Sequence, residues 1–239
     1  MLEGRPQRVV GVLGGMGPEA TVDFMAKIVS RTAARRDQDH LHLLIDHNPG
    51  IPDRHAAIAG DAPSIGPQLA AMAHRLELAG ADFLVMVCNT AHAYTQDIRA
   101  AISIPFISMV DLAVDALRDY EVTQVGIMAA EGCLRAGLYQ RALQGAGYGC
   151  VTWEEQSLQA FMQLLYRVKA GERGDELTSA LRELAAELEQ RGAEVIVAAC
   201  TEIPLILGPG DTRVPLLCST SVLVQRTIEL ARETPPEEF

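Results

Sequence analysis

Two cysteines carry the chemistry that this sequence suggests. Cys88 follows Gly80-Ala81-Asp82 and the apolar run 83–87, and leads into Asn89-Thr90. Cys200 follows Gly192-Ala193-Glu194 and the apolar run 195–199, and leads into Thr201-Glu202. The spacing from glycine to cysteine is the same in both stretches. Short apolar runs of this kind read as buried strands, and ligands of open α/β sheets bind beyond the carboxyl ends of strands. Asn-Thr and Thr-Glu suit helix N-caps, where free backbone N–H groups favour a thiolate and can receive a carboxylate. Two such units facing each other would set two thiols across one cleft. Inverting a carbon centre needs that arrangement, a base on one face and an acid on the other, with roles that can be exchanged. A free thiol titrates near about 8.5, so modest tuning brings it close to neutrality. The competing reading is that both are buried structural cysteines, and their repetition at matched positions argues against it.

The elements that must hold these thiols alternate. Strands are expected at 9–13, 41–45, 83–87, 125–128 and 195–199. Helices are expected at 18–36, 64–79, 90–102, 138–144, 158–169 and 176–191. Asn48-Pro49-Gly50-Ile51-Pro52 reads as a loop. Strands alternating with helices imply parallel sheets covered on both faces. Val10-Gly11-Val12-Leu13 has a counterpart in Val125-Gly126-Ile127-Met128, and Pro105 and Pro215 each precede a further apolar run. The fold class expected is α/β, two Rossmann-like three-layer αβα domains related by pseudo-symmetry, with the site in the cleft between them. The expected division is residues 1–104 plus 213–239 against residues 105–212.

Length and charge narrow the function. The chain has 239 residues, enough for a large core, and a formal net charge of −11; no basic cluster suggests a nucleic-acid surface. The N-terminus shows no signal-peptide pattern, and no apolar run is long enough to span a bilayer. Five cysteines without zinc-type spacing read as free thiols in a reducing cytoplasm. The tail 235–239 reads as disordered. Lys27 and Lys169 are the two lysines; both read as helical, which provides poorly for a Schiff base.

Several motifs together resemble the aspartate/glutamate racemase family. They are Gly14-Gly15-Met16-Gly17-Pro18-Glu19-Ala20-Thr21, Arg36-Asp37-Gln38-Asp39-His40, Asn48-Pro49 with Ile51-Pro52-Asp53-Arg54, Cys88-Asn89-Thr90-Ala91-His92, and Cys200-Thr201-Glu202. The resemblance runs over nearly the whole chain. It implies racemisation of a small amino acid, aspartate before glutamate, with no pyridoxal phosphate or other cofactor, in a homodimer. Cys88 and Cys200 match the paired acid–base thiols. Asn89, Thr90 and Thr201 match groups that hold the α-carboxylate, and Arg54 and Lys169 match cations for the side-chain carboxylate. Met16, Gly132 and Cys133 fall in the substrate-binding turns. His92 and Glu202 are candidates for tuning the adjacent thiols. The sequence departs from the family pattern where Ala130 and Cys133 replace threonine and Cys218 replaces aspartate.

Other readings stay open at this level. Gly15-Met16-Gly17-Pro18-Glu19-Ala20 fits a dinucleotide turn, although Pro18 removes an N–H and Glu19 would face a pyrophosphate. Cys88, His92 and Cys200 could ligate a metal, but the pattern is weak and no metal site is assigned. The substrate could be another amino acid, a hydantoin or a maleate-like diacid, or the protein could bind small acids without turnover.

Overall fold

The computed structural model describes residues 8–233; the tail 235–239 lies outside them. Two four-stranded parallel sheets carry the same strand order. The first runs β2 (Leu43–His47), β1 (Val10–Gly14), β3 (Phe83–Met86), β4 (Phe106–Ile107). The second runs β6 (Gly149–Val151), β5 (Gln124–Ala129), β7 (Val195–Ala199), β8 (Leu216–Cys218). Val10 sits opposite Leu43 and Phe83, and Val125 opposite Cys150 and Val195. β1, β3 and β7 are buried along their whole length, which is why they read as continuous apolar runs rather than alternating ones.

The duplication extends to the turns before the thiol-bearing strands. Asp82 accepts from the Val9 N–H (2.5 Å), and Glu194 accepts from the Thr123 and Gln124 N–H groups (2.5 and 2.9 Å). Each carboxylate thus pins its strand to the start of the central strand beside it.

Around the first sheet pack α1 (Pro18–Arg31), α2 (Arg54–Ala59), α3 (Gly66–Leu78) and α4 (Thr95–Ala100). The second carries α6 (Glu131–Arg135), α7 (Leu138–Ala146), α8 (Glu155–Lys169) and α9 (Asp175–Gln190). Two helices join the units. α5 (Met109–Asp115) gives Met109 to the core of the first sheet and Val110, Ala113 and Val114 to that of the second. α10 (Ser219–Arg232) packs Leu223, Val224 and Ile228 with β1 and α1. The sheets change over after Ile107 and after Cys218, a few residues beyond the divisions expected at 104/105 and 212/213.

Four expectations differ in detail. α1 ends at Arg31 rather than 36, where the backbone turns extended at Thr32 (φ −71°, ψ 118°) and the Thr32 hydroxyl donates to the Ile28 carbonyl (2.6 Å). Residues 90–102 are not one helix: 90–94 form a 3-10 turn before α4, with the His92 N–H bonded to the Asn89 carbonyl. β2 starts two residues later than expected. α2 follows directly on the loop read at 48–52 and was not expected; it is capped by Asp53, whose carboxylate accepts from the His55 and Ala56 N–H groups.

Candidate active site

The turn after β1 is built on glycine. Gly15 has φ +91°, and a Cβ there would lie 2.5 Å from the Asn48 backbone, so only glycine fits. Thr21 locks the turn by accepting from the Gly15 N–H (2.9 Å) and donating to the Gly17 carbonyl (3.1 Å). A Cβ at Gly17 would sit 3.0 Å from Glu202 Oε1. A carboxylate therefore abuts the place where a dinucleotide's pyrophosphate would bind, and the turn serves strand–helix packing.

Cys88 lies two residues past β3 and is buried. His92, one turn on, bonds the Cys88 carbonyl through Nδ1 (2.8 Å) and accepts from the Met109 N–H through Nε2 (3.0 Å). The Nε2 acceptor fixes the proton on Nδ1, so the ring is the neutral tautomer. Burial pushes its pKa down to about 4 against the opposing pull of the Cys88 backbone. Both nitrogens are taken by backbone groups, so His92 braces the Cys88 segment rather than meeting the thiol. Among the described residues no group of three His, Cys, Asp or Glu side chains could hold a metal ion.

Cys200 follows β7 directly and is likewise buried. Its thiol donates to Glu202 Oε2 (3.1 Å), which also accepts from the Thr201 hydroxyl (3.2 Å). Lys169, the last residue of α8, places Nζ 3.7 Å from Glu202 Oε1. Burial and then Glu202 push the Cys200 thiol well above its ordinary value, with Lys169 opposing. Burial works against the Lys169 charge, but Glu202 and Cys200 outweigh it and raise its pKa.

Both thiols line one narrow cavity together with Met16, Arg54, Asn89, Thr90, Lys169, Thr201 and Glu202. His55, Ala130 and Leu165 complete the wall. Arg54 donates to the Ile51 and Pro52 carbonyls (3.2 and 3.0 Å) and forms no ion pair among the described residues. Two cations thus face one carboxylate in a chain of net charge −11, which makes the cleft locally suited to an anionic ligand.

Asn89 is held at both ends of its amide. Tyr139 donates to Oδ1 (2.6 Å), and Nδ2 donates to Ser219 Oγ (3.2 Å), which in turn donates to the Ala198 carbonyl (2.7 Å). Gly132 lies outside the inner cavity, in a chamber of ≈ 400 Å³ that shares His55 with it; its N–H donates to His55 Nδ1 (3.1 Å). Cys133 is fully buried in the core with Tyr139 and Leu143, and burial raises its thiol pKa. Cys218 caps α10, its sulfur accepting from the Ser221 N–H. Sequence reasoning missed His55, Tyr139 and Ser219. His55 alone left a signal, as the neighbour of Arg54; the other two reach the site from distant helices.

The family model for Asp/Glu/hydantoin racemases matches residues 13–227. A broad specificity amino-acid racemase, RacX of Bacillus subtilis, is 26% identical over 92% of this chain and 96% of its own length. The structure of Picrophilus torridus aspartate racemase superposes with a TM-score of 0.81 at 28% identity, covering 94% of each chain. A glutamate racemase isoform of Bacillus anthracis shares the fold, with a TM-score of 0.65 at 16% identity over 98% of this chain and 86% of that one.

Proposed function

The chain belongs to the Asp/Glu/hydantoin racemase family, and from that premise we propose that it inverts the α-carbon of an acidic amino acid, aspartate before glutamate, using Cys88 and Cys200. One observation carries the reading: both thiols and two cations, Arg54 and Lys169, line one cavity. One cysteine, as thiolate, takes the Cα proton, and the other, as thiol, delivers a proton to the opposite face. In this reading, backbone N–H groups and side chains around Asn89, Thr90 and Thr201 hold the α-carboxylate, where negative charge grows as the proton leaves. Arg54 and Lys169 meet the second carboxylate, a charge-assisted contact that favours diacids over neutral amino acids.

A second substrate reading has its own support. Ala130 lines the cavity where the family pattern implies a threonine hydroxyl, and one relative is a broad specificity racemase. Another amino acid is then the substrate, turned over by the same thiol pair. A homodimer and a cytoplasmic location are also proposed. All five cysteines are free thiols, in keeping with a reducing compartment, and no described helix is long and apolar enough to cross a membrane. Sedimentation of the purified protein measures the assembly.

The test is NMR-detected Cα-hydrogen exchange in D₂O with L-aspartate, L-glutamate and a panel of neutral amino acids. We expect exchange with aspartate. Cys88→Ala and Cys200→Ala should each slow racemisation by about 10²–10⁴-fold without changing the circular dichroism spectrum. A single variant that racemises at the parent rate sinks the two-thiol mechanism. Exchange confined to a neutral amino acid overturns the substrate and keeps the chemistry.

A further inference from the structure

The two thiols are not equivalent. At the position matching Glu202, two residues after the cysteine, the Cys88 side has Thr90, and His92 there is committed to backbone groups. Among the described residues, Cys200 is the one of the two thiols that is bonded to a carboxylate. Glu202 is 5% exposed, its Oε2 takes the Cys200 thiol and the Thr201 hydroxyl, and its Oε1 has no hydrogen-bond partner among the described residues and faces the Lys169 ammonium. A buried carboxylate is costly unless it is paired, and here the pairing is with the Cys200 thiol and the Lys169 ammonium.

We propose that Glu202 holds the proton on Cys200, so that the resting cleft keeps one thiol protonated while Lys169 balances the carboxylate. The inference rests on the two-thiol reading and deepens it. A racemase with two thiols works only when it carries one base and one acid; two thiolates leave no proton to deliver, and two thiols leave no base. When Cys200 must act as base, its Sγ–H proton passes to Glu202 Oε2. This leaves a thiolate facing Lys169 and a neutral carboxylic acid, with the charge of the trio unchanged. Before this step Cys88 takes a proton from solvent, so that Cys200 takes the Cα proton while Cys88 gives its own. Glu202 then releases its proton to solvent, which restores the Cys200 thiol and the Cys88 thiolate. The charged and titratable groups around Cys200 are Glu202 on its own loop, Lys169 from α8, Arg54 and His55 from α2, Tyr139 from α7, and Cys88. Of these, Glu202 is the anion bonded to the thiol.

The test reads the thiolate directly, through its ultraviolet absorbance against pH in a Cys88→Ala background. The step that disappears on adding Cys200→Ala belongs to Cys200. Glu202→Gln should move that step to lower pH by about 1–3 units, because Lys169 then favours the thiolate unopposed. Lys169→Met should move it upward, and Glu202→Asp should keep it near the parent value. In the protein with both thiols, the pH profile of kcat should follow the Glu202→Gln shift. A Cys200 midpoint that stays put or rises in Glu202→Gln overturns the proposal. Should Glu202→Gln fail to fold by thermal melting, the Lys169→Met shift decides, and an unmoved midpoint there overturns it equally. The absorbance step needs no turnover, so the two readings separate. An unmoved step with an inactive Cys200→Ala defeats this inference alone, whereas full activity in Cys200→Ala defeats the two-thiol reading.

Discussion

His92 shows what one buried side chain does for the site and for stability. Its ring joins the Cys88 carbonyl to the Met109 N–H and so ties the thiol-bearing turn to the start of α5. Only the neutral form can accept from Met109, and burial lowers its pKa from 6.5 to about 4. The unfolded chain therefore binds a proton that the folded one refuses in the window between those values. Stability from this group is complete above pH 6.5 and is lost as pH falls toward 4, amounting to about 3 kcal/mol at the acid end. Urea unfolding at pH 7 and pH 4.5 should show a steeper acid loss in the parent than in His92→Gln, whose amide does not titrate. Equal losses in the two proteins would remove His92 as the cause.

Across elements, the link that sets the spacing of the thiols is the chain Tyr139–Asn89–Ser219–Ala198. It starts on α7, crosses the residue next to Cys88, reaches the first residue of α10, and ends on β7 two residues before Cys200. Tyr139→Phe strands the buried Asn89 Oδ1, at a cost of about 1–3 kcal/mol. We expect that loss in urea unfolding together with a lower kcat and a KM changed much less; a variant with normal kcat would confine the link to stability. None of this chain was legible in the sequence, because Tyr139 and Ser219 stand in ordinary helical stretches and meet Asn89 only through the tertiary fold. The thiol-bearing strands were legible, since burial on both faces leaves an unbroken apolar run that ends in a polar cap. The edge strand β6, three residues long, is too short to declare itself, and β8, equally short, showed only as the apolar run after Pro215. α2 follows the Pro-rich loop 48–52 and was not read, although Asp53 after Pro52 is the signal that could have found it.

At the scale of the molecule, the cleft is closed too tightly for the substrate proposed. The inner cavity leaves ≈ 10 Å³ for the centre of a water molecule, about enough for one water and far less than an amino acid needs, so we expect its walls to move before substrate binds. The clasp lies at the mouth. His55 of α2 accepts from Gly132 of α6, its ring meets Tyr166 of α8 edge-on at 6.5 Å, and Tyr166 donates to Asp53 (3.4 Å). Glu19 of α1 also pairs with Arg173 beyond α8. None of these contacts involves the thiols, so loosening them should change traffic more than chemistry. Trp153, the single tryptophan, packs in the cluster that includes the cavity residue Leu165, which makes its fluorescence a probe of closure. Stopped-flow binding of succinate, a diacid with no α-amino group, should then show faster association and faster dissociation in His55→Ala and Tyr166→Phe, with a smaller change in Kd, because opening slows both steps. Unchanged rates in both variants would place the route of admission elsewhere than between α2 and the α6–α8 face.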